Sequence, residues 1–118
     1  QQDDSLQLAR KRLGSDAIIG VTCHDSLALA EAAVGAGASY IAFGAFYASS
    51  TKPTAKPAAL SILSSARHLG CPVVAIGGIN ADNAAPLIAA GADCVAVISD
   101  LWSAADIAAQ AQAISRLF

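Results

Sequence analysis

Charged and aromatic residues are scarce in this 118-residue chain, at 14% and 5% of the sequence. The formal net charge is −2, and without a basic patch or an aromatic platform a nucleic-acid partner is not expected. No apolar run approaches the ~18 residues of a membrane span, and no signal peptide is visible. Hydrophobic residues make up 55% of the chain. We therefore expect one domain with a hydrophobic core, in the cytoplasm, with no membrane or nucleic-acid partner.

Cysteine is also rare, and its three positions are Cys23, Cys71 and Cys94. All three lie in or beside apolar segments, and their number is odd. Small buried thiols in a reducing compartment are therefore favoured over disulfides or metal ligands. Cys23 stands directly before His24, which is not the usual spacing of zinc ligands, and no second pair accompanies it.

Short apolar runs alternate regularly with alanine-rich helical patterns. The pattern predicts helices near 5–13, 26–34, 58–69, 81–90 and 104–117, and strands near 17–21, 40–43, 73–76 and 94–98. Such alternation implies a parallel sheet with right-handed crossovers. The third strand is apolar at every position, which predicts burial on both faces. Four strands form half of an eight-stranded barrel or a small open sheet, and composition does not separate the two.

Two helix-to-strand joints nearly repeat each other. They read Ala36-Gly-Ala-Ser-Tyr40 and Ala90-Gly-Ala-Asp-Cys94. In both, a glycine ends a helix, a small and a polar residue form the turn, and an apolar strand follows. Weak repetition of this kind is expected of successive βα units.

Polar residues and glycines follow each predicted strand. They are Thr22 to His24, Ser49 to Lys52, the pair Gly77 and Gly78, and Ser99. Loops after the strands form the active face of an α/β barrel, so these groups should converge on one mouth. The glycine pair exposes backbone N–H groups before a helix capped by Asn80 or Asp82, which suits a phosphate. The alternative is that the glycines only make a tight turn and the hydroxyl-rich loop is only solvated.

An acidic pair, Asp3 and Asp4, lies at the N-terminus. Magnesium commonly uses one or two carboxylates together with substrate phosphates. Taken alone, however, the pair is more typical of a disordered end or a helix cap.

Six segments together carry a family resemblance. They are Gln2-Asp-Asp-Ser-Leu6, Gly20-Val-Thr-Cys-His24, Tyr40-Ile-Ala-Phe-Gly44, Phe46-Tyr-Ala-Ser-Ser-Thr-Lys-Pro53, Val74-Ala-Ile-Gly-Gly-Ile79 and Ala96-Val-Ile-Ser99. In this order they resemble the motifs of thiamine-phosphate synthase, a (β/α) barrel family, and the hydroxyl-rich loop ending in Lys52 is the most specific. Only the family's C-terminal half is covered. The resemblance therefore implies an α/β parallel (βα) half-barrel, with residues 1–118 as a single partial domain that corresponds to about strands five to eight of a TIM barrel.

The resemblance also implies an activity. Members of this family are transferases of thiamine biosynthesis that join hydroxymethylpyrimidine diphosphate to thiazole phosphate and release pyrophosphate. By the resemblance, Lys52 and Thr22 are the catalytic contacts to the pyrimidine diphosphate, and Asp4 binds the cofactor Mg²⁺. The implied binding residues for thiazole phosphate are Ser49, Ser50, Thr51, Gly78, Ile98 and Ser99. The family's N-terminal Gln-x-Arg-x-Lys motif is absent, so the chain alone is expected to be inactive, to need an N-terminal half and to self-associate.

The sequence is also compatible with two other functions. A thiazole tautomerase-like relative would share the thiazole-phosphate site without joining two substrates, although Lys52 with Thr22 favours the synthase. A non-catalytic half-barrel that binds phosphate is the second alternative.

Overall fold

Helices and strands alternate along the chain in the computed structural model, which describes residues 2–48 and 57–118. The elements are α1 (Gln2–Leu13), β1 (Gly20–Thr22), α2 (Leu27–Gly35), β2 (Tyr40–Phe43), α3 (Ser61–Ser65), a 3-10 turn (Arg67–Leu69), β3 (Val73–Ile76), α4 (Ala84–Ala90), β4 (Cys94–Ala96), α5 (Ser99–Trp102) and α6 (Ile107–Ser115). In these two ranges no helix is both long enough and apolar enough to cross a membrane.

The strands form one parallel four-stranded sheet in chain order, β1-β2-β3-β4. One row of side chains across this sheet runs from Thr22 through Ala42 and Val74 to Cys94. The predicted parallel α/β architecture is confirmed, and β2 and β3 have the predicted bounds.

Several helix boundaries differ from the prediction, and side chains explain two of them. Ser26 caps α2, because its Oγ accepts a hydrogen bond from Leu29 N at 3.1 Å. α4 begins at Ala84 rather than near residue 81, which leaves Pro86 in its first turn. A helix begun earlier would bring Pro86 into its interior, where proline cannot donate a hydrogen bond and clashes with the preceding turn.

The C-terminal region and the third helix also depart from the prediction. The helix predicted over 58–69 is α3 followed by the 3-10 turn, and α5 precedes a shorter α6. Asp106 caps α6 with a side-chain oxygen that accepts from Ala109 N at 3.0 Å. This cap fixes where the last helix starts, and it lies inside the span that the pattern predicted as helical.

The two faces of the sheet are covered differently. On the helix side, Ile41, Phe43 and Ala75 are 0% exposed and Val73 is 1% exposed. On the other side, Thr22, Cys94 and Ala96 are exposed, whereas Val74 and Ile76 are half-buried. The prediction that β3 is buried on both faces is therefore wrong, because the helices α2, α3 and α4 cover one face only.

The same asymmetry corrects a second expectation. A half-barrel leaves one apolar face of its sheet uncovered, and the sequence offers four candidates for that face, depending on strand register: Val73, Ala75, Val95 and Val97. In the structure Val73 and Ala75 lie under the helices, and Val95 and Val97 are half-buried against the same core. Alternation along the strands places Val74, Ile76, Cys94 and Ala96 on the uncovered face instead.

The two repeated joints perform the same structural task. Ser39 N donates to Ile19 O at 2.7 Å, and Ser39 Oγ accepts from Ile19 N at 2.9 Å. Asp93 N donates to Val73 O at 2.8 Å, and Asp93 Oδ2 accepts from Val73 N at 2.8 Å. In each case the residue before one strand clamps the start of the preceding strand with two hydrogen bonds. The clamps fix the register of β1 with β2 and of β3 with β4.

Arg10 supports the same end of the sheet. Its Nη2 donates to Gly37 O at 2.8 Å, and its Nη1 donates to Ala17 O. Because these carbonyls belong to the loops before β2 and β1, one guanidinium joins α1 to both loops. This end of the sheet is the amino end of the strands, opposite the predicted site.

Candidate functional site

The carboxyl ends of the strands gather the predicted site residues that the structure describes. Thr22 is the last residue of β1, Gly77 and Gly78 follow β3, and Ser99 starts α5 just after β4. Because adjacent parallel strands end at the same edge of a sheet, these groups share one edge. The predicted placement of Thr22, Gly78 and Ser99 is confirmed, while their roles in binding and catalysis stay predictions.

The glycine turn after β3 has a backbone that only glycine adopts readily. Gly77 and Gly78 have φ values of 100° and 63°, both in the left-handed region. A Cβ atom on Gly77 would collide with Ala45, and one on Gly78 would lie 2.6 Å from Ala48 O. Both glycines therefore allow the loop that follows β2 to lie directly against the turn.

Hydrogen bonds hold that loop in place. Phe46 N donates to Ile76 O at 3.2 Å, and Tyr47 N donates to Gly77 O at 3.1 Å. The Tyr47 hydroxyl donates to Asn83 O at 2.8 Å. The chain therefore leaves β2 and runs along the glycine turn up to Ala48, immediately before the predicted hydroxyl-rich segment.

Two asparagines organise the turn between β3 and α4. Asn83 Nδ2 donates to Gly78 O at 3.0 Å, and Asn83 Oδ1 accepts from Asn80 N at 2.8 Å. Asn80 Oδ1 in turn accepts from Asp82 N at 2.8 Å and from Asn83 N at 2.9 Å. The prediction that Asn80 or Asp82 caps the helix is wrong: α4 begins at Ala84, directly after Asn83, and Asn80 caps only the turn that precedes the helix. Sequence reasoning missed Asn83 and Tyr47; the spacing of Asn80 and Asn83 was the available signal for Asn83.

Thr22 lies in an open groove between α1 and β1. The groove has a volume of about 270 Å³ and is lined by Leu6, Ala9, Ile19, Thr22 and His24, among others. The Thr22 and His24 side chains are exposed, and His24 has a left-handed φ of 55°. Gly44 N donates to His24 O at 2.9 Å, which ties the end of β1 to the end of β2. The groove therefore places Thr22 beside the first turns of α1.

Ile98 and Ser99 form the entry into α5. Ile98 is 76% exposed, and Ser99 is exposed as well. The neighbouring Asp100 accepts a hydrogen bond at 2.7 Å from Gln110 Nε2, which joins α5 to α6. This link holds the segment after β4 in position at the carboxyl edge.

Five predicted site residues lie wholly or partly outside the described structure. Ser49, Ser50, Thr51 and Lys52 lie outside the described residues. For Asp4 the structure describes only the backbone, in the first turn of α1. Their roles in binding and catalysis therefore stay predictions.

No three histidine, cysteine, aspartate or glutamate side chains come together within the described part of the chain. Asp4 could contribute one carboxylate oxygen, the ligand type that Mg²⁺ prefers. Because Mg²⁺ is often held by one or two carboxylates plus substrate phosphates, a single aspartate fits a shared site of this kind.

The cysteines differ in their environment. All three are free thiols; Cys23 is buried, Cys71 is half-buried and Cys94 is exposed. Burial, with a smaller effect of Cys71, raises the pKa of the Cys23 thiol. The expectation of small buried thiols is right for Cys23 and wrong for Cys94, because Cys94 lies on the uncovered face of the sheet.

Comparison with known proteins gives a consistent result. A family profile described as thiamine monophosphate synthase matches residues 1–101. The thiamine-phosphate synthase of Methylobacillus flagellatus is 54% identical over 98% of this chain and 56% of its own length. That of Marinobacter nauticus is 55% identical over 100% of this chain and 54% of its own length.

A solved structure agrees with these sequences. Thiamine phosphate pyrophosphorylase from Pyrococcus furiosus matches with a TM-score of 0.82 and 31% identity, over 95% of this chain and 53% of that protein. The chain thus spans about half the length of the relatives it matches. From the profile over residues 1–101 and from identities above 50%, the chain belongs to the thiamine monophosphate synthase family.

Proposed function

We propose that this chain supplies the C-terminal half of a thiamine-phosphate synthase, a transferase that joins hydroxymethylpyrimidine diphosphate to thiazole phosphate and releases pyrophosphate. The observation that carries the proposal is the 54% identity to a thiamine-phosphate synthase across 98% of the chain. The Gly77–Gly78 turn, with its left-handed backbone at the carboxyl edge, supports it as a place for a phosphate. The cytoplasm is the proposed compartment, and three free thiols suit it.

The described sheet is proposed to be strands five to eight of an eight-stranded barrel, with residues 1–118 as a partial domain. One covered face and one uncovered face support this proposal, because the inner face of a barrel is filled only when all strands are present. An N-terminal half would cover the exposed Thr22, Cys94 and Ala96 and pair with β1 and β4. Without that half, the exposed face and strand edges favour self-association.

Thiazole phosphate is proposed to bind where the ends of β3 and β4 meet. Backbone N–H groups near Gly78 and near Ser99 would hold the phosphate, and the exposed Ile98 would contact the ligand. The hydroxyls of Ser49, Ser50 and Thr51 would complete this cradle. The close approach of Ala48 to Gly78 supports the arrangement, because Ser49 directly follows Ala48 in the chain.

The pyrimidine diphosphate is proposed to lie nearer β1. Thr22 would contact it from the groove beside α1, and Lys52 would neutralise the charge that develops on the departing pyrophosphate. Asp4 would hold Mg²⁺ together with the diphosphate oxygens. Bound Mg²⁺ supplies further positive charge to the leaving group.

The test is a charge removal at Lys52 in the full-length protein, assayed as pyrophosphate release with both substrates at saturating Mg²⁺. Lys52→Ala should lower turnover about 100-fold, the scale of losing one contact to a developing anion. Lys56→Ala removes the same charge from the same segment and should leave turnover nearly unchanged.

Other results would reject the assignment. Turnover of Lys52→Ala within about twofold of the unsubstituted protein would remove Lys52 from the reaction. A full-length protein that binds thiazole phosphate but releases no pyrophosphate would favour a tautomerase-like or purely binding protein instead.

A further inference from the structure

Three consecutive carbonyl groups, at the last residue of β3 and in the turn that follows it, accept hydrogen bonds. Ile76 O accepts from Phe46 N at 3.2 Å, and Gly77 O accepts from Tyr47 N at 3.1 Å. Gly78 O accepts from Asn83 Nδ2 at 3.0 Å, and this bond comes from a side chain. The first two bonds place the carbonyls against the loop after β2, and the third directs Gly78 O towards the start of α4.

The directions of the carbonyls determine those of the amides. In a trans peptide the C=O and the following N–H point in opposite directions. Gly78 N–H therefore points away from Tyr47, and Ile79 N–H points away from Asn83. In residues 2–48 and 57–118 neither amide donates a hydrogen bond. Two neighbouring N–H groups that have no acceptor among the described residues, in a left-handed glycine backbone, can form a concave anion-binding surface.

We infer that Asn83 is the positioning residue of this anion-binding surface, and that it acts by fixing the Gly78–Ile79 peptide. The inference rests on the proposed function, which places a substrate phosphate at Gly78. Asn83 is suited to this role because its Oδ1 and its Nδ2 both make hydrogen bonds within the turn. Its Oδ1 accepts from Asn80 N, which fixes the amide so that Nδ2 faces Gly78 O. Without Nδ2 the peptide is free to rotate, and Ile79 N–H loses its direction.

Tyr47 supports Asn83 from the neighbouring loop. Its hydroxyl donates to Asn83 O at 2.8 Å, and its backbone N–H donates to Gly77 O at 3.1 Å. One residue of the β2 loop therefore touches both the peptide before Gly78 and the residue that holds the peptide after it. This contact couples the position of the β2 loop to the direction of the two amides.

The experiment compares two substitutions that add the same charge to the same turn. Asn83→Asp keeps an oxygen for Asn80 N but replaces the donor to Gly78 O with a second oxygen. Asn80→Asp keeps the oxygen that accepts from Asp82 N and Asn83 N, and leaves Gly78 O untouched. Both variants are made in the full-length protein, and their unfolding midpoints in urea are compared. Inorganic phosphate binding is measured by equilibrium dialysis, and the Gly78 and Ile79 amides are followed by ¹⁵N NMR.

We expect Asn83→Asp to bind phosphate about tenfold more weakly than Asn80→Asp, since one oriented donor is lost. In the unsubstituted protein and in Asn80→Asp, phosphate should shift the Gly78 and Ile79 amide signals. In Asn83→Asp the Ile79 shift should disappear while the unfolding midpoint stays close to that of Asn80→Asp. Equal phosphate affinity in the two variants, or phosphate binding without a shift of these amides, would overturn the inference.

A second pair of variants keeps the test decisive if Asn83→Asp does not fold. Tyr47→Phe removes the hydroxyl that bonds Asn83 O and should weaken phosphate binding about threefold, the lower end for one hydrogen bond. Tyr40→Phe removes a hydroxyl that makes no hydrogen bond within the described residues and should leave phosphate binding unchanged. Equal phosphate affinity of Tyr47→Phe and Tyr40→Phe would contradict the coupling.

The outcomes separate this inference from the proposed function. Phosphate binding that depends on Asn83 in a protein that releases no pyrophosphate would support the positioning role and reject the synthase. If the protein releases pyrophosphate but its phosphate affinity does not change in Asn83→Asp, the positioning role of Asn83 is rejected and the proposed function is not.

Discussion

Replacing Gly78 with alanine should destabilise the protein much more than the same change at Gly70. The two glycines have similar φ values, 63° and 73°, so a left-handed alanine costs about the same at each, roughly 1–2 kcal/mol. At Gly70 a Cβ atom would meet nothing within 4 Å. At Gly78 it would lie 2.6 Å from Ala48 O and 2.8 Å from Tyr47 O, both of them backbone atoms.

The difference between the two variants measures the contact alone. Relieving two backbone contacts of this kind requires the β2 loop to shift, and overpacking in a close-packed region costs about 1–3 kcal/mol. We therefore expect a free energy of unfolding lower by about 1–2 kcal/mol for Gly70→Ala and by about 2–5 kcal/mol for Gly78→Ala. Urea unfolding of the full-length variants, followed by circular dichroism, gives both values. Equal losses in the two variants would mean that the β2 loop does not lie against the glycine turn.

Four further outcomes are expected. Arg10→Ala should lower the free energy of unfolding by about 1.5–3 kcal/mol, as expected for hydrogen bonds to a charged group, and Arg12→Ala by much less; equal losses in urea unfolding would contradict this. In the 118-residue chain without an N-terminal half, Cys94 should react first with a thiol reagent and Cys23 only upon unfolding, as mass spectrometry of labelled peptides would report. The pKa of Cys23 is raised in the fold, so its contribution to stability is complete below the pKa of the unfolded thiol and decreases as the pH rises towards the folded pKa. The free energy of unfolding should therefore fall less steeply between pH 7 and 10 in Cys23→Ala than in the unsubstituted protein, and an equally steep fall in both would contradict this. The 118-residue chain alone should self-associate in sedimentation experiments, and a stable monomer that unfolds cooperatively would show that it is self-sufficient.

The elements that could be predicted are those whose signals are local. β2 and β3 have the predicted bounds because each is a short apolar run with serine or proline before it and glycine after it. Ser26 caps α2 at the start of the helix predicted near 26–34, since capping depends on the adjacent backbone alone. Strand bounds and helix caps of this kind depend only on neighbouring residues, so the sequence is enough to predict them.

Which face of the sheet the helices bury could not be predicted from local signals. An apolar residue type indicates that a side chain can be buried, but it does not indicate which element would cover that side chain. Val74 and Ile76 are as apolar as Val73, yet they face the side that the described helices leave open. The prediction failed for Cys94 for the same reason.

Part of the candidate site follows from the sequence and part does not. The positions of Thr22, Gly78 and Ser99 follow from the strands, because a parallel sheet places their ends together. The hydrogen bond between Tyr47 and Asn83 joins residues 36 positions apart, and no local sequence pattern predicts it. Contacts of that range depend on how two loops lie against each other, which is a property of the folded chain.

The clamps formed by Ser39 and Asp93 have a consequence for the order of folding. Each joins residues 20 positions apart and fixes the pairing of two successive strands around one helix. Contacts of short range form fastest, because little chain entropy is lost in closing them. The β1–α2–β2 and β3–α4–β4 units are therefore expected to form first, each with its register already set. The seam between β2 and β3 would close afterwards, which pulsed hydrogen exchange would detect as later protection of Ile41 than of the clamp amides.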